Sequence, residues 1–374
     1  FFKQKTAYEI RPRDWSSDVC SSDLTAYVLL KQKKQFLAAR PIINYRRFLF
    51  AKLLKATAII LQQLLQSCMP NTFGLQSLQQ IFSNLQQFLT HIPPDAELTV
   101  HNQDLAGFFT SIPAQRIMHS VRTLLDFYKQ QHPHVDHNTM FTVNLRQTDN
   151  TLRMFRGRPR KAANSHHQIR FGDIYDICQL SLQASIFTHM NHTFQQVRGS
   201  AIGNQISPVL ANITVSHVEH QWRTQPQIQL LLQQFSDRIY ITRYVDNRLV
   251  LIDKSQQHHA GIRHFLTDTF YEPPVLLEQE PDLSFLGCTI DPDRQTLSYI
   301  QPTNTWQFQP FASAASKQHK LSAAFSRICL AARHSYPRKQ AKDDVESLIR
   351  RYVSLGYPEK VLRAKASQML RHTC

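Results

Sequence analysis

Three stretches of the chain combine a regular hydrophobic pattern with residues that favour a turn. In the first, residues 97–128, alternating positions lead up to Asp104, and later apolar residues recur at every third or fourth position. The alternation predicts a strand and the second pattern predicts a helix. We therefore predict a strand ending at Asp104, a turn at Gly107 and a helix that begins at Pro113. One strand face would carry Leu98, Val100, Asn102 and Asp104, and the inner stripe of the helix would be Ile117, Val121, Leu124, Leu125 and Tyr128.

The second stretch, residues 198–222, is a glycine-containing loop followed by a helical pattern. Gly199 and Gly203 free the backbone to approach a ligand. Ser207 is a good helix cap and Pro208 a good first helical residue, so we predict that a helix begins there. Its inner stripe would include Leu210, Ile213, Val218 and Trp222.

The third stretch, residues 238–253, has two apolar runs separated by Val245-Asp246-Asn247-Arg248. Apolar runs on either side of a turn predict two strands, and Asp-Asn suits a tight turn because both side chains bond the nearby backbone. The result is a hairpin with the carboxylate of Asp246 at its turn. An ordinary hairpin explains this stretch by itself, and the interpretation changes only if a second carboxylate, such as Asp104, lies alongside.

Taken in this order, the three stretches resemble the palm motifs of reverse transcriptases. In that family an acid followed by an aromatic residue, a Gly-rich loop with Ser-Pro, and a Tyr-x-Asp-Asp hairpin succeed one another. The resemblance extends to Arg40-Pro41-Ile42 and Phe285-Leu286-Gly287, and covers residues 40–360. The segment from Asp104 to Pro113 and Gly356-Tyr357-Pro358 are most similar to Penelope-like retroelements. The hairpin departs from the family, because Asn247 stands where the second Asp is expected.

The resemblance implies an α+β fold, the right-hand polymerase with fingers, palm and thumb. Fingers would span residues 25–95, a palm of antiparallel strands backed by helices 96–300, and a helical thumb 301–374. Within the palm lies a basic insertion, residues 129–172, which we expect to bury little and to form a mobile loop or hairpin. In the thumb, we expect Asp343 or Asp344 to cap a helix that Gly356 and Pro358 end.

The resemblance also implies a chemistry, RNA-templated DNA synthesis by two-metal nucleotidyl transfer. Asp104 and Asp246 would hold two Mg²⁺ ions, with Mn²⁺ as an alternative, and Asn247 would offer a neutral oxygen at the catalytic site. Mg²⁺ takes only one or two protein carboxylates, so two are chemically sufficient. The partners would be an RNA template, a DNA primer and deoxynucleoside triphosphates. The positions that match the family's substrate-binding residues are Arg40, Phe109, Gly199, Gly203, Gln205 and Tyr244.

Two of these positions have alternative explanations. Arg40 matches the residue that binds the triphosphate, but it also lies in a basic segment that a solvated surface explains equally well. Phe109 matches the aromatic residue that excludes a ribose 2′-hydroxyl, which disfavours RNA-templated RNA synthesis. Burial of Phe108 and Phe109 in the core is the alternative.

Charge supports a polyanionic partner. The 374 residues carry a formal net charge of +16, and no uninterrupted apolar run is long enough to span a membrane. The six cysteines are scattered as in a reduced intracellular protein, and a eukaryotic retroelement would place the chain in the nucleus. No endonuclease motif follows the thumb region, and the oligomeric state stays open. A degraded or domesticated copy that only binds RNA or RNA–DNA duplex is the alternative function.

Residues 1–24 are set apart from this reasoning. They show no periodicity, and residues 3–10 and 14–24 resemble the in-frame translation of a short-read sequencing adapter around a variable index. We interpret this segment as an artefact without a fold of its own, so the true N-terminus is unknown. Its four basic and four acidic residues cancel, and the charge argument is unaffected.

Overall fold

The computed structural model describes residues 10–12, 24–30, 39–46, 48–74, 77–93, 95–146, 152–156, 166–190, 192–301 and 308–371. In these residues, helices alternate with four small sheets, which are antiparallel apart from one parallel pair between β2 and β8, so the α+β class is confirmed. The strands are β1 (Ile10–Pro12), β2 (Thr25–Leu30), β3 (Ala39–Asn44), β4 (Leu98–Leu105), β5 (Thr139–Asn144), β6 (Arg153–Arg156), β7 (His166–Arg170), β8 (Ile186–His189), β9 (His192–Gln196), β10 (Ile239–Tyr244), β11 (Asn247–Asp253), β12 (Leu277–Gln279), β13 (Ser284–Phe285), β14 (Cys288–Asp291) and β15 (Thr296–Tyr299).

The helices are α1 (Ala51–Cys68), α2 (Leu78–His91), α3 (Ala114–Gln131), α4 (Ile174–Gln183), α5 (Ser207–Arg223), α6 (Pro226–Gln234), α7 (Ala260–Leu266), α8 (Lys317–His334), α9 (Arg338–Ser354) and α10 (Glu359–Arg371). The chain divides into two compact units, and each consists of three segments that are separated in the sequence. The first consists of Phe1–Leu75, Leu105–Gln225 and Asp268–Leu277, and the second of Gln76–Asp104, Pro226–Thr267 and Glu278–Cys374.

The first unit has a helical core of α1, α3, α4 and α5. Helix α3 follows Pro113 as predicted, and all five residues of its predicted inner stripe are buried. Helix α5 also lies where predicted, but Ile206 is its cap and Ser207 is its first residue. The Ser207 side chain is buried without a hydrogen-bond partner, so the prediction that it caps the helix was wrong. The helix starts one residue earlier than predicted. Its cap is fixed by a hydrogen bond from the Ile206 amide to Oδ1 of Asn204 in the preceding loop.

The basic insertion forms a sheet rather than an unpacked loop. Strand β5 pairs with both β6 and β7, and it buries Met140, Phe141 and Val143. The expectation that this segment buries little was therefore wrong, because the pairing of β5 with β6 and β7 buries the few apolar residues of a mostly polar segment. Arg158, Arg160 and Lys161 of the insertion lie outside the described residues.

The second unit is built on the sheet β10-β11-β4-β12. One face of this sheet carries Leu98, Leu249 and Leu251 into a hydrophobic core that also contains residues of α2 and of the hairpins β13–β15. The two strands predicted around Asp246 and the strand predicted before Asp104 are thus confirmed.

The three helices α8, α9 and α10 pack around a core of their own, which includes Val345, Leu348 and Tyr352. Helix α9 begins after Pro337, so the prediction that Asp343 or Asp344 caps it was wrong. Asp344 is instead buried inside the helix, where its carboxylate accepts hydrogen bonds from Ser298, Ser335 and the Tyr299 amide. The end of α9 before Gly356 is as predicted.

Of the first 24 residues, the structure describes Ile10–Pro12 and Leu24. Ile10–Pro12 is strand β1 and pairs with β9, while the remaining part of the segment that we interpret as an adapter lies outside the described residues. No helix in the described part of the chain is long and apolar enough to cross a membrane.

Candidate active site

The predicted hairpin ends in a two-residue turn. Tyr244 pairs with Asn247, so Val245 and Asp246 form the loop between β10 and β11. Val245 has φ 59°, in the left-handed region that a β-branched residue rarely adopts. Positive φ at the first loop position and not at the second matches a type II′ turn, whose twist fits a right-handed hairpin. Backbone strain of this kind is concentrated at functional sites, and here it is next to Asp246.

Strand β4 places the second acid beside this turn. Asp104 lies directly opposite Asn247 in the antiparallel pairing of β4 with β11. The Cβ atoms of residues directly opposite each other are about 4.5–5.5 Å apart. Asn247 also donates a hydrogen bond from Nδ2 to Oδ1 of Asp246 at 3.2 Å. The structure therefore brings Asp104, Asp246 and Asn247 together, as the sequence predicted, and leaves all three partly exposed.

The hydrophobic face of the sheet fixes this register. Leu249 pairs with Asn102 and Leu251 with Val100, and both leucines are fully buried. Val250 and Ile252 are buried on the other face of β11, and a shift of one residue would also separate the buried Arg248 from its hydrogen-bond partner Gln103. The same shift would remove Asn247 from its place opposite Asp104.

Behind the acids lie two buried arginines that sequence reasoning missed. Arg243 and Arg248 are cross-strand partners on either side of the turn, and neither is exposed to solvent. Arg248 donates from Nε and NH2 to Oε1 of Gln103, at 3.0 and 2.7 Å, and its guanidinium lies 4.2 Å from the ring centre of Phe265. Arg243 donates to the carbonyl of Val245 at 2.7 Å. Their position in otherwise apolar strands, symmetrical about the turn, was the available signal.

The opposite end of the hairpin is held by ion pairs. Arg238 bonds the carboxylate of Asp253 and also lies 3.3 Å from that of Asp95, while Lys254 lies 2.8 Å from Glu97. Burial raises the pKa of Asp253, but hydrogen bonds from the Ser255 amide and from Arg238 outweigh it and leave the pKa below its ordinary value. We call Arg238 and Asp253 the base of the hairpin and Tyr244–Asn247 its tip.

Two predicted substrate residues meet in the first unit. Gly199 has φ 71°, and a Cβ added there would lie 2.5 Å from Cα of Thr110 and 2.6 Å from the carbonyl oxygen of Phe109. The amide of the next residue, Ser200, donates to that same carbonyl at 2.7 Å. Phe108 is buried, whereas Phe109 is partly exposed and contacts Phe108 edge to face. Phe108 thus takes the core position, and the sugar-excluding role of Phe109 stays a prediction.

Gly203 approaches strand β3 in the same way. Its φ is 106°, and a Cβ there would lie 2.1 Å from the carbonyl oxygen of Ile43, whose amide bonds Ile202. Arg40 lies three residues before Ile43 on β3 and is exposed, as is Gln205 beyond the loop. In the second unit, the remaining predicted substrate residue, Tyr244, is 37% exposed at the tip.

The donor set at the tip fits a hard divalent cation. Carboxylate and amide oxygens are the ligands that Mg²⁺ accepts, and Mg²⁺ keeps several waters when one or two carboxylates hold it. Within the described residues, no group of three or more His, Cys, Asp or Glu side chains is arranged to hold a metal. Asp104, Asp246 and the Asn247 amide are the oxygen donors at the tip that could hold such an ion.

The fold is similar to that of telomerase chains in solved structures. The telomerase of Candida albicans, in complex with a TWJ fragment of telomeric RNA, matches 99% of this chain and 62% of its own, with TM-score 0.61 and 11% identity. The apo form of the telomerase of Candida tropicalis matches 96% of this chain and 61% of its own, with TM-score 0.58 and 10% identity. The same Candida tropicalis telomerase, in complex with a TWJ fragment of telomeric RNA, matches 97% of this chain and 55% of its own, with TM-score 0.57 and 10% identity.

No protein-family model matches the chain, and no curated protein matches it. The chain spans about three-fifths of the telomerase chains that it matches. At 10–11% identity this likeness concerns the fold alone. The chain has the fold of a reverse-transcriptase-like polymerase.

Proposed function

We propose that this chain catalyses RNA-templated DNA synthesis by nucleotidyl transfer, as the reverse transcriptase of a retroelement. The observation that carries the proposal is the register of β4 and β11, which pairs Asp104 with Asn247 and brings Asp246 beside them at a strained turn. An acid near the end of one strand and a second acid in the turn beside it can hold cations against a phosphate, as nucleotidyl transfer requires. The polymerase-like fold supports the same proposal.

In this proposal, Asp104 and Asp246 hold two Mg²⁺ ions, for which Mn²⁺ can substitute. When bound, the ions would lower the pKa of the primer hydroxyl and neutralise charge on the triphosphate. Asn247 orients the Asp246 carboxylate through its hydrogen bond to Oδ1. The amide adds no charge, so we expect a higher magnesium requirement than a third carboxylate would give.

The substrate-binding roles follow the resemblance. Phe109 would contact the sugar and exclude a 2′-hydroxyl, and Arg40 would bind the triphosphate. Gly199 and Gly203 allow their loop to approach Phe109 and β3 closely, since a side chain at either glycine would clash with backbone. Gln205 and Tyr244 are exposed and able to contact a nucleotide.

The proposed partners are an RNA template, a DNA primer and deoxynucleoside triphosphates. A net charge of +16 favours a nucleic-acid partner because displaced counterions drive binding to phosphates. The structurally similar telomerase of Candida albicans is in complex with an RNA fragment. The Asp104–Pro113 segment favours a Penelope-like element as the lineage. A eukaryotic retroelement of this kind would place the chain in the nucleus.

Asn247 favours a second candidate function, a degraded or domesticated copy that binds RNA or RNA–DNA duplex without catalysis. Replacement of an acid by an amide is the change expected of a decayed metal site. The two functions differ in metal-dependent extension and share the binding of duplex.

The test is extension of a labelled DNA primer on a matched RNA or DNA template, with deoxy- or ribonucleotides and with Mg²⁺ or Mn²⁺. The proposal predicts incorporation of deoxynucleotides complementary to the RNA template, and only with a divalent ion. Ribonucleotide incorporation would indicate an RNA polymerase. Duplex binding without extension under any metal would leave the binding-only function.

A further inference from the structure

Arg243 and Arg248 are costly where they stand. Both are fully buried, and they lie directly opposite each other on adjacent strands. Like charges in that position repel each other, and burial of a guanidinium costs free energy unless hydrogen bonds compensate. An apolar pair of similar volume would fill the same space at lower cost. What the arginines contact therefore indicates what they do.

Each arginine bonds the residue that precedes one of the two acids. Arg248 donates two hydrogen bonds to the side chain of Gln103, the residue that precedes Asp104. It donates a third to the Phe265 carbonyl at 2.9 Å. Arg243 bonds the carbonyl of Val245, the neighbour of Asp246, at the residue whose φ is strained. Successive residues of a strand point to opposite faces, so Arg248 and Gln103 lie on the face opposite to Asn247 and Asp104.

We infer that Arg243 and Arg248 are positioning residues that hold Asp104 and Asp246 in register from behind, an inference that rests on the proposed function. Arg248 locks β4 to β11 at Gln103, and Arg243 fixes the turn that carries Asp246. Outer-shell groups of this kind orient metal ligands, and their loss weakens metal binding although they touch no metal. Neither arginine contacts substrate in this account.

The sign of the effect separates positioning from simple charge. If the arginines acted only through their charge, their removal would make the site more negative and would tighten metal binding. If they position the acids, their removal weakens it. Arg243→Lys retains the charge and a donor for the Val245 carbonyl, so it should preserve binding better than an apolar residue.

The experiment measures Mn²⁺ binding directly, by electron paramagnetic resonance of free Mn²⁺ during titration of the protein. Asp246→Asn identifies the binding that belongs to the acid site. Arg243→Met and Arg248→Met should each weaken that binding about tenfold. Arg243→Lys should recover most of the loss. The magnesium concentration for half-maximal primer extension should rise in parallel.

Arg238→Met is the matched control, because Arg238 belongs to the same hairpin but lies at its base. It should lower thermal stability and leave Mn²⁺ affinity at the wild-type value. If the methionine variants fail to fold, Gln103→Met removes both bonds to Arg248 without changing charge and should weaken binding in the same direction.

Asp246-dependent Mn²⁺ binding that is unchanged or tighter in the arginine or Gln103 variants would overturn the inference and leave the proposed function standing. Weakening by Arg238→Met to the same extent would also overturn it, because any damage to the hairpin would then suffice. Mn²⁺ binding that does not depend on Asp246 would overturn the acid site, and with it both proposals.

Discussion

The two ends of one hairpin use their charged residues differently. At the base, Arg238 bonds the carboxylates of Asp253 and Asp95, and these side chains hold strand to strand. At the tip, Asp246 accepts a hydrogen bond from the Asn247 amide. The arginines that flank the tip bond uncharged groups, Arg243 the Val245 carbonyl and Arg248 the amide oxygen of Gln103. At the base, an arginine thus pairs with carboxylates. Near the tip, the arginines instead bond uncharged groups of the two residues that precede the acids.

Under the proposed function, this difference separates the acids of the active site from the acids that stabilise the hairpin. The base has ordinary geometry and a buried acid with a depressed pKa, while the tip has a strained Val245 and partly exposed acids. Backbone strain costs stability and is concentrated at functional sites, and an exposed acid is accessible to a ligand. If the distinction is correct, changes at the tip alter extension and changes at the base alter stability.

The largest expected effect comes from the tip acids. Asp104→Ala and Asp246→Ala should each reduce primer extension by about a thousandfold or more, the scale of loss when a catalytic group is removed. Duplex binding should stay near the wild-type value, because little basic surface is lost. Single-nucleotide extension and fluorescence anisotropy measure the two properties. Loss of binding together with activity would point to misfolding instead.

The sugar-excluding role of Phe109 predicts a smaller effect. Phe109→Val opens space beside the sugar without changing the acids, so the ratio of ribonucleotide to deoxynucleotide incorporation should rise about tenfold. Matched competition between the two nucleotides on one template measures this ratio. An unchanged ratio would mean that Phe109 serves packing against Phe108.

Asn247→Asp should shift the magnesium requirement. The added carboxylate lies opposite Asp104 and makes the site more negative. Half-maximal extension should therefore need about threefold less magnesium, because ligand charge tunes affinity for divalent ions. A wild type that is inactive and gains activity through this change would identify a decayed enzyme.

The smallest effect on extension belongs to the base. Asp253→Asn weakens the pairing with Arg238 and should lower the melting temperature by about 3 °C. Because folding depresses the pKa of Asp253, its contribution is present above the unfolded value, about 4, and is lost as pH falls through the folded value. Urea unfolding from pH 7 to pH 3 should therefore show a gap between wild type and Asp253→Asn that closes in acid.

Much of the second unit and of α3 and α5 could be predicted because their patterns are local. Leu249, Leu251 and the inner stripe of α3 alternate or recur as their elements require, and those residues are buried. The meeting of Asp104 with Asn247 followed from the resemblance and from the strands on which they lie. No local pattern gave their register, which depends on which apolar faces pack together.

The failures have equally physical causes. Ser207 and Asp344 suit helix caps, but Asp344 is held inside α9 by hydrogen bonds from the distant residues Ser298 and Ser335. Helix α5 begins one residue early, and the Ser207 side chain is buried in its first turn. Arg243 and Arg248 look like surface residues in the sequence because arginine is rarely buried. Only the pairing of three strands reveals that both lie behind the acids.

The most direct measurement compares two isosteric changes in one hairpin, Asp246→Asn at the tip and Asp253→Asn at the base. Each removes one carboxylate from the same pair of strands, and extension of a DNA primer on an RNA template is measured per folded molecule at saturating Mg²⁺. We expect Asp253→Asn to extend the primer at the wild-type rate and Asp246→Asn to show no extension while it still binds duplex. Equal extension by the two variants would contradict the assignment of catalysis to the tip.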